Sequence, residues 1–364
     1  MLKPYGVPIE RLNGGKPIVA PKNNWWENKA TTNAAAFYLE RSATNDPIIK
    51  KLISVENLDN SRLENGVVAV HYRALSKKAP GKQHSRSYVG VALFTPEVEL
   101  LKRYPEPLIL PSENSKGYDY LGVEDVRITR IGATFYALYC GFDGKNMRVC
   151  MAISKDLINW KKLGLVRGDI NSSNNKDAVL FPEKIDGHYF MMHRPMVGNV
   201  SDFSIHLAMS NSPIGVWEDC GMVLHSFENP ACKDSWVGAG SVPIPLGDKK
   251  FLVLYHTGNY LKPGKREYDM DAAIFNFQNF SADNPAGIVE KRLEHLMVPE
   301  TDWEKNSEIS IDIVFPEGSY EYHGEIYIIY GAGDRYVSAA KVNKKTLLEY
   351  LEKSDNSNPF VKSL

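Results

Sequence analysis

The sequence has little of what marks a charged, membrane-bound or disulfide-built protein. Its 43 Lys and Arg balance 44 Asp and Glu for a formal net charge of −1, so no overall field recruits nucleic acid or an anionic membrane. No apolar run approaches the ~20 residues of a membrane helix, and the start, MLKPYGVPIERL, lacks a signal-peptide core. As it stands the sequence reads as cytoplasmic, or as periplasmic or secreted where a leader has been removed. Only four cysteines occur, Cys140, Cys150, Cys220 and Cys232, with no CxxC pair and no zinc spacing, which leaves buried reduced thiols. No metal or organic cofactor is expected. No low-complexity linker divides residues 1–364, so a single domain is expected. Nothing in the termini or loops reads as an oligomer contact.

What is present is a repeat. Five segments alternate around an alanine: VGVALF, VCMAIS, IHLAMS, DAAIF and VSAAKV, centred on Ala92, Ala152, Ala208, Ala273 and Ala340. The steps of 60, 56, 65 and 67 residues each hold one four-stranded sheet with its loops. Before each alanine strand lies a second strand, such as FYALYCG, and before that a first, such as EDVRITRIG. Gly132, Asp186-Gly187 and Gly247-Asp248 supply hairpin turns. The pattern predicts an all-β, five-bladed propeller with blades beginning near residues 30, 121, 175, 237 and 309. Residues 1 to 29 and a short C-terminal helix, KKTLLEYLEK, are expected to close and cover the ring, with the loop 76–87 beside the funnel mouth.

A propeller gathers its first strands around one axis, so functional side chains are sought at their starts. These are Asn33, Glu124, Asp125, Lys176, Asp177, Glu183, Trp236 and Asp312, and the ends of the second strands add Arg73, Arg194 and His256. Carboxylates, guanidinium groups, an amide and an indole around one axis suit an oligosaccharide.

The segments GVEDVRITRIG, AVLFPEKIDGHYFMMHRP, VGAG with LVLYHTG, and IVFPEG with IYIIYGAGD, in that order, resemble glycoside hydrolase family 130, the mannoside phosphorylases and mannosidases, from about Asn33 to Tyr350. The resemblance implies a five-bladed propeller acting with inversion on β-mannosides. It gives Asp125, in the Glu-Asp-x-Arg motif, the role of general acid, which in the phosphorylases works through the mannose 3-hydroxyl. Burial beside Glu124 would raise the Asp125 pKa, and Arg127 would lower it. Asn33 and Arg73 match positions that hold the mannose, and Arg194 matches a family position. Lys176 and Asp177 align with an Arg-Asn pair, and His256 with a phosphate-contacting histidine. Asp312 falls in a sugar-binding segment whose pattern differs here.

The phosphorylase pattern carries two further cations, where this chain has Glu183 and Trp236. A glutamate about 4 Å from phosphate would repel it by roughly 4 kcal/mol at an effective dielectric of 20. The sequence therefore favours hydrolysis by an inverting, exo-acting β-mannosidase, and the resemblance, whose hydrolytic members are associated with β-1,2-mannosides, implies that linkage. Asp125 is its acid and Glu183 its base, with Glu228 as second candidate for the base. Their carboxyl groups should stand about 6.5–9.5 Å apart, and Trp236 should stack on an acceptor sugar. The alternative is a phosphorylase holding inorganic phosphate on Arg73, Lys176, Arg194 and His256. A further alternative is a sugar-binding propeller without turnover.

Overall fold

The computed structural model describes residues 4–78, 84–261, 264–354 and 356, so part of the 76–87 loop lies outside the described residues. The fold is mostly β. A two-residue strand β1 (Glu10–Arg11) precedes an antiparallel unit of β2 (Ala30–Leu39), β3 (Val67–Leu75), β4 (Ser87–Phe94) and β5 (Leu100–Arg103). The second unit is β6 (Gly122–Ile131), β7 (Thr134–Phe142), β8 (Met147–Ser154) and β9 (Lys161–Leu165). After the short β10 (Arg167–Gly168) come β11 (Asn175–Leu180), β12 (Tyr189–Pro195), β13 (Ile205–Ser210) and β14 (Val216–Leu224). The fourth unit holds β15 (Cys232–Ala239), a short β16 (Ile244–Gly247), β17 (Lys250–Leu261), β18 (Lys265–Asn276) and β19 (Val289–Met297). Following β20 (Lys305–Asn306), the fifth has β21 (Ile311–Tyr322), β22 (Glu325–Ala332) and β23 (Tyr336–Asn343). Its fourth strand is β1, with Arg11 opposite Ala340, so the chain start completes the last unit.

The units are not five separate sheets. Ser87 pairs in parallel with Gly122, and Arg266, Glu267 and Tyr268 pair in parallel with Ile311, Asp312 and Ile313. These links fuse units one and two, and units four and five, leaving three hydrogen-bonded sheets.

The repeat alanines explain how the units pack. All five lie on third strands and are fully buried, where a methyl group lets a neighbouring unit approach and a larger side chain would overpack. Apolar clusters fill every junction in cyclic order: Val91 with Phe135, Leu138 with Leu180, Phe181 with Phe251, Leu254 with Val314, and Ile329 with Val70. Neighbouring first strands also touch, β2 lying against both β6 and β21.

The expected terminal helix is α2 (Lys344–Lys353), which buries Leu347 and Leu351 one turn apart and is capped by Asn343 accepting from the Thr346 N–H. A second helix, α1 (Asp46–Ile53), was not anticipated; Pro47 sits in its first turn, and Ile49 and Leu52 are buried. None of the four cysteines forms a disulfide. No helix among the described residues is long and apolar enough to cross a membrane.

Candidate functional site

Bulges aim the site. The register of the first strands slips between Thr32 and Ala34, Glu124 and Arg127, Lys176 and Val179, and Pro316 and Gly318. A bulge bends its strand and re-aims a side chain. Asn33, Asp125 and Asp177 carry the deviation as positive φ values of 43°, 54° and 55°, a strain found where function over-determines conformation. Asn33, Asp125, Asp177 and Glu317, from four units, thereby meet in one buried cluster.

Asp125 is the hub. Its Oδ1 accepts from Asn33 Nδ2 at 2.9 Å and Arg73 Nη1 at 3.1 Å, and Lys176 Nζ lies 3.6 Å from Oδ2. Arg73 Nη2 also donates to Glu124 Oε1 at 2.6 Å, which Ser87 Oγ meets at 2.9 Å. Burial pushes the Asp125 carboxyl up, but Arg73, Lys176, Arg127 and the Asn33 hydrogen bond together hold it well below the usual carboxylate range. The free site therefore carries an ionised Asp125, a ready acceptor for a sugar hydroxyl.

A basic wall stands beside it. Arg194 Nη2 lies 3.0 Å from Asp177 Oδ2, and Arg194 Nη1 lies 3.2 Å from His256 Nε2. A guanidinium can only donate, so His256 Nε2 accepts and its proton sits on Nδ1. Burial, followed by the surrounding cations, pushes the His256 pKa far down despite Asp177, so the ring is neutral. Two buried donors on this wall, Arg194 Nε and His256 Nδ1, have no hydrogen-bond partner. Buried donors left unmet are costly. For Asp177, burial raises the pKa but Arg194, Lys176 and Arg127 outweigh it.

Below lies a brace. Arg127 is 1 % exposed and links two units, donating to the carbonyls of Asp125 at 2.8 Å, Ala239 at 3.0 Å and Gly240 at 3.1 Å. Its Nη2 is also 3.2 Å from Glu317 Oε1 and 3.6 Å from Asp177 Oδ1. Burial pushes the Glu317 pKa well up against the pull of Arg127, and Asp125 and Asp177 add to the rise. Four cations, Arg73, Arg127, Lys176 and Arg194, are thus gathered around the carboxyl groups of Asp125 and Asp177.

Eight predicted residues thus come together: Asn33, Arg73, Glu124, Asp125, Lys176, Asp177, Arg194 and His256. Five do not hold their expected roles. Glu183 is exposed in the turn after β11, six residues beyond Asp177 and so roughly 20 Å along extended chain. It neighbours Pro182, which lines a depression with Tyr38, Thr129, Val242 and Tyr320 and with no member of the Asp125 cluster, so it is not placed to act as the base. Arg127, expected among the substrate-binding residues, spends its donors on the carbonyls of Asp125, Ala239 and Gly240 and braces the cluster instead. Trp236 is 4 % exposed and packs on Tyr260 and Tyr268 at ring distances of 5.1 and 5.5 Å, so it fills core. Asp312 is buried and paired with Lys265 at the start of β21. Glu228 lines a separate 660 Å³ cleft with Phe227, His225 and Asp234. The residue that sequence reasoning missed is Glu317; its signal is a polar side chain interrupting an apolar first strand.

One other cluster has metal-like composition: His193, His206 and Asp219 offer ligand atoms within 4.8 Å of one another. The Asn175 amide donates to the Ile170 carbonyl and to His193 Nδ1, while its oxygen accepts from the Arg194 N–H. His193 Nδ1 is therefore an acceptor and Nε2 carries the proton, the reverse of what a metal ligand needs. The group is a polar brace behind Arg194.

Residues 64–353 match the glycoside hydrolase 130 family, described as beta-1,4-mannooligosaccharide phosphorylase. The chain belongs to glycoside hydrolase family 130. Among its relatives is a 1,2-beta-oligomannan phosphorylase of Thermoanaerobacter sp., 28% identical over 347 residues that cover 94% of this chain and 99% of the relative. A beta-1,2-mannobiose phosphorylase of Listeria innocua is 28% identical over 236 residues, 65% of this chain and 61% of the relative. The solved complex of beta-1,2-mannobiose phosphorylase from Listeria innocua with beta-1,2-mannobiose superposes with TM-score 0.71 at 22% identity, covering 95% and 99% of the two chains. Another family 130 structure, from work on glycoside hydrolases that target beta-1,2 mannosidic linkages in Candida mannan, gives TM-score 0.72 at 22% identity over 99% of both chains.

Proposed function

We propose that this family 130 enzyme cleaves β-mannosides, β-1,2-linked ones in particular, by inverting phosphorolysis. The observation that carries the reading is the wall of Arg194, Lys176 and His256. It sets the Lys176 ammonium 3.6 Å from Asp125 and leaves Arg194 Nε and His256 Nδ1 as buried donors without a partner, whereas the glutamate expected to activate water is an exposed turn residue. The names of the relatives support the same linkage and reaction. The five units, in cyclic contact, are read as a five-bladed propeller with this cluster on its axis.

In this mechanism Asn33, Arg73 and Glu124 hold the mannosyl unit, and phosphate lies on Arg194 and Lys176 on the face opposite the scissile bond. The bond from C1 to the leaving oxygen breaks as the bond from C1 to a phosphate oxygen forms, so a β-mannoside gives α-mannose 1-phosphate. The leaving oxygen takes a proton delivered at Asp125. Because Asp125 is ionised in the free site, that proton arrives with the substrates, through the sugar hydroxyl that the carboxylate binds, and the proton of hydrogen phosphate restores the balance. Preorganised cations act strongest where water is excluded.

The test is product analysis on β-1,2-mannobiose with and without inorganic phosphate. Mannose 1-phosphate that appears only with phosphate is expected. Equal release of mannose without phosphate, and no sugar phosphate with it, would return the hydrolytic reading.

A further inference from the structure

We propose that a cleft beside Trp303 binds a distal mannosyl unit on the leaving-group side, so that the enzyme prefers β-mannan chains longer than a disaccharide. This rests on the phosphorolytic reading above, which sets the direction in which the leaving chain departs. The cleft has a volume of about 300 Å³ and is lined by Asp302, Trp303, Lys305, Glu308, Arg335 and Tyr336.

Trp303 is presented rigidly. Its indole is 40% exposed, and the Tyr336 ring meets it edge-on at 5.2 Å and 88°. The next residue, Glu304, is fully buried, and its carboxylate pins the loop. Oε1 accepts from Arg11 Nε at 2.7 Å and the Tyr330 hydroxyl at 2.8 Å. Oε2 accepts from the Glu300 and Thr301 N–H groups at 2.7 and 2.9 Å and from Arg11 Nη2 at 3.1 Å. A carboxylate with five donors holds its loop in one conformation, so the exposed indole enters binding with little ordering cost.

The cleft's lining adjoins the strand that carries Asn33. The Arg335 carbonyl accepts from the Thr31 N–H at 3.0 Å, two residues before Asn33. Gly331 lies so close to Asn33 that a Cβ there would fall 2.3 Å from Asn33 Oδ1. Direction selects this cleft over the 660 Å³ one. Inversion requires the nucleophile to enter opposite the breaking bond. Arg194 and His256 belong to units three and four, so the leaving chain points towards units five and one, where Trp303 and Thr31 lie. The larger cleft opens at the start of β15, on the anion side. The lining chemistry fits a neutral pyranose: an indole for its apolar face, and acids and bases in equal measure for its hydroxyls.

Wild type and the variants Trp303→Ala and Trp303→Phe would be compared on β-1,2-mannobiose and β-1,2-mannotetraose with saturating phosphate. The expected result is that wild type gains in kcat/KM from disaccharide to tetrasaccharide, that Trp303→Ala loses that gain by on the order of tenfold, and that Trp303→Phe keeps most of it. Titration of Asp125→Asn with tetrasaccharide should show the same loss on adding Trp303→Ala. Length-independent loss, or none, overturns the platform while leaving phosphorolysis standing. Mannose in place of sugar phosphate overturns the reaction, and a chain-length gain that does not depend on Trp303 then overturns the platform too. Oligomannosides that neither bind nor react overturn both.

Discussion

Gly238→Ala is the substitution by which the anion wall is most directly tested. A Cβ at Gly238 would lie 2.4 Å from Asp177 Oδ2, 2.4 Å from His256 Cε1 and 2.6 Å from His256 Nε2. Ordinary carbon contacts need about 3.5–4.0 Å, so the carboxylate and the ring must each retreat by roughly 1 Å. Neither is a loose end, since Asp177 is 1 % exposed and the His256 ring packs on Phe315 at 3.9 Å. Overpacking of this kind costs about 1–3 kcal/mol. The two groups displaced are those that orient the Arg194 guanidinium, at 3.0 and 3.2 Å. If the strain is relieved there, kcat/KM for phosphate falls roughly 5- to 150-fold, at tenfold per 1.4 kcal/mol. Initial rates with phosphate titrated at saturating mannoside read this directly. Gly258→Ala is the control, because its Cβ would fall 2.3 Å from the Trp236 ring, a similar clash in core. The reasoning is refuted if Gly238→Ala keeps the wild-type KM for phosphate, or if Gly258→Ala raises that KM equally.

Other expectations follow from the same geometry. Asp125→Asn keeps an acceptor oxygen for Asn33 and Arg73 but cannot pass a proton, so turnover should fall about 10²- to 10⁴-fold with mannoside affinity retained in a binding titration; parallel loss of affinity would make Asp125 a binding group only. Glu183→Gln, in an exposed turn, should change turnover less than about twofold, within the range of ordinary surface substitutions, and an inactive, folded variant would revive it as the base. His295 Nδ1 lies 3.1 Å from Asp269 Oδ2; burial lowers its pKa, but Asp269, Asp271 and Glu294 outweigh this and push it up to about 9. A pKa raised above the unfolded value of about 6.5 contributes stability that is full below pH 6.5 and lost as pH rises to 9. The gap in Tm between wild type and His295→Gln should therefore narrow over that window, and parallel curves would refute it.

How much of this was legible depends on which symmetry is followed. The alanine spacing marked the third strands because a fully buried methyl is a packing requirement, and all five alanines meet it. The motif around Asp125 marked the hub. The base was misplaced because Phe-Pro-Glu occurs twice, at Phe181-Pro182-Glu183 and Phe315-Pro316-Glu317, and the two copies look equivalent as letters. They are not equivalent in register. In β11 the bulge falls at Asp177, four residues before Phe181; in β21 it falls at Glu317 itself. Counting from the bulges, Glu317 matches Asp177, Asp125 and Asn33, while Glu183 has run on into an exposed turn.

A one-residue slip flips a side chain to the other face of a strand, so the bulge, which local sequence hardly encodes, decides which acids reach the axis. This bears on the reaction itself. The acid that does enter the cluster, Glu317, lies 3.2 Å from Arg127 Nη2, and burial raises its pKa, which favours a neutral form that does not repel an anion. The inference of an acidic wall followed the letters of the motif, and the cationic wall follows its register. Glu317→Gln, which keeps shape and neutrality, should accordingly leave phosphate KM within about threefold. Arg127→Met would remove the guanidinium that bonds the Asp125 carbonyl and lies beside Asp177 and Glu317, stranding buried carboxyl groups at a cost of about 3–5 kcal/mol. A thermal shift in Arg127→Met without one in Glu317→Gln separates the brace from the acid it rests on, and the opposite order would show that Glu317 is charged and that the sign of the wall has been misjudged.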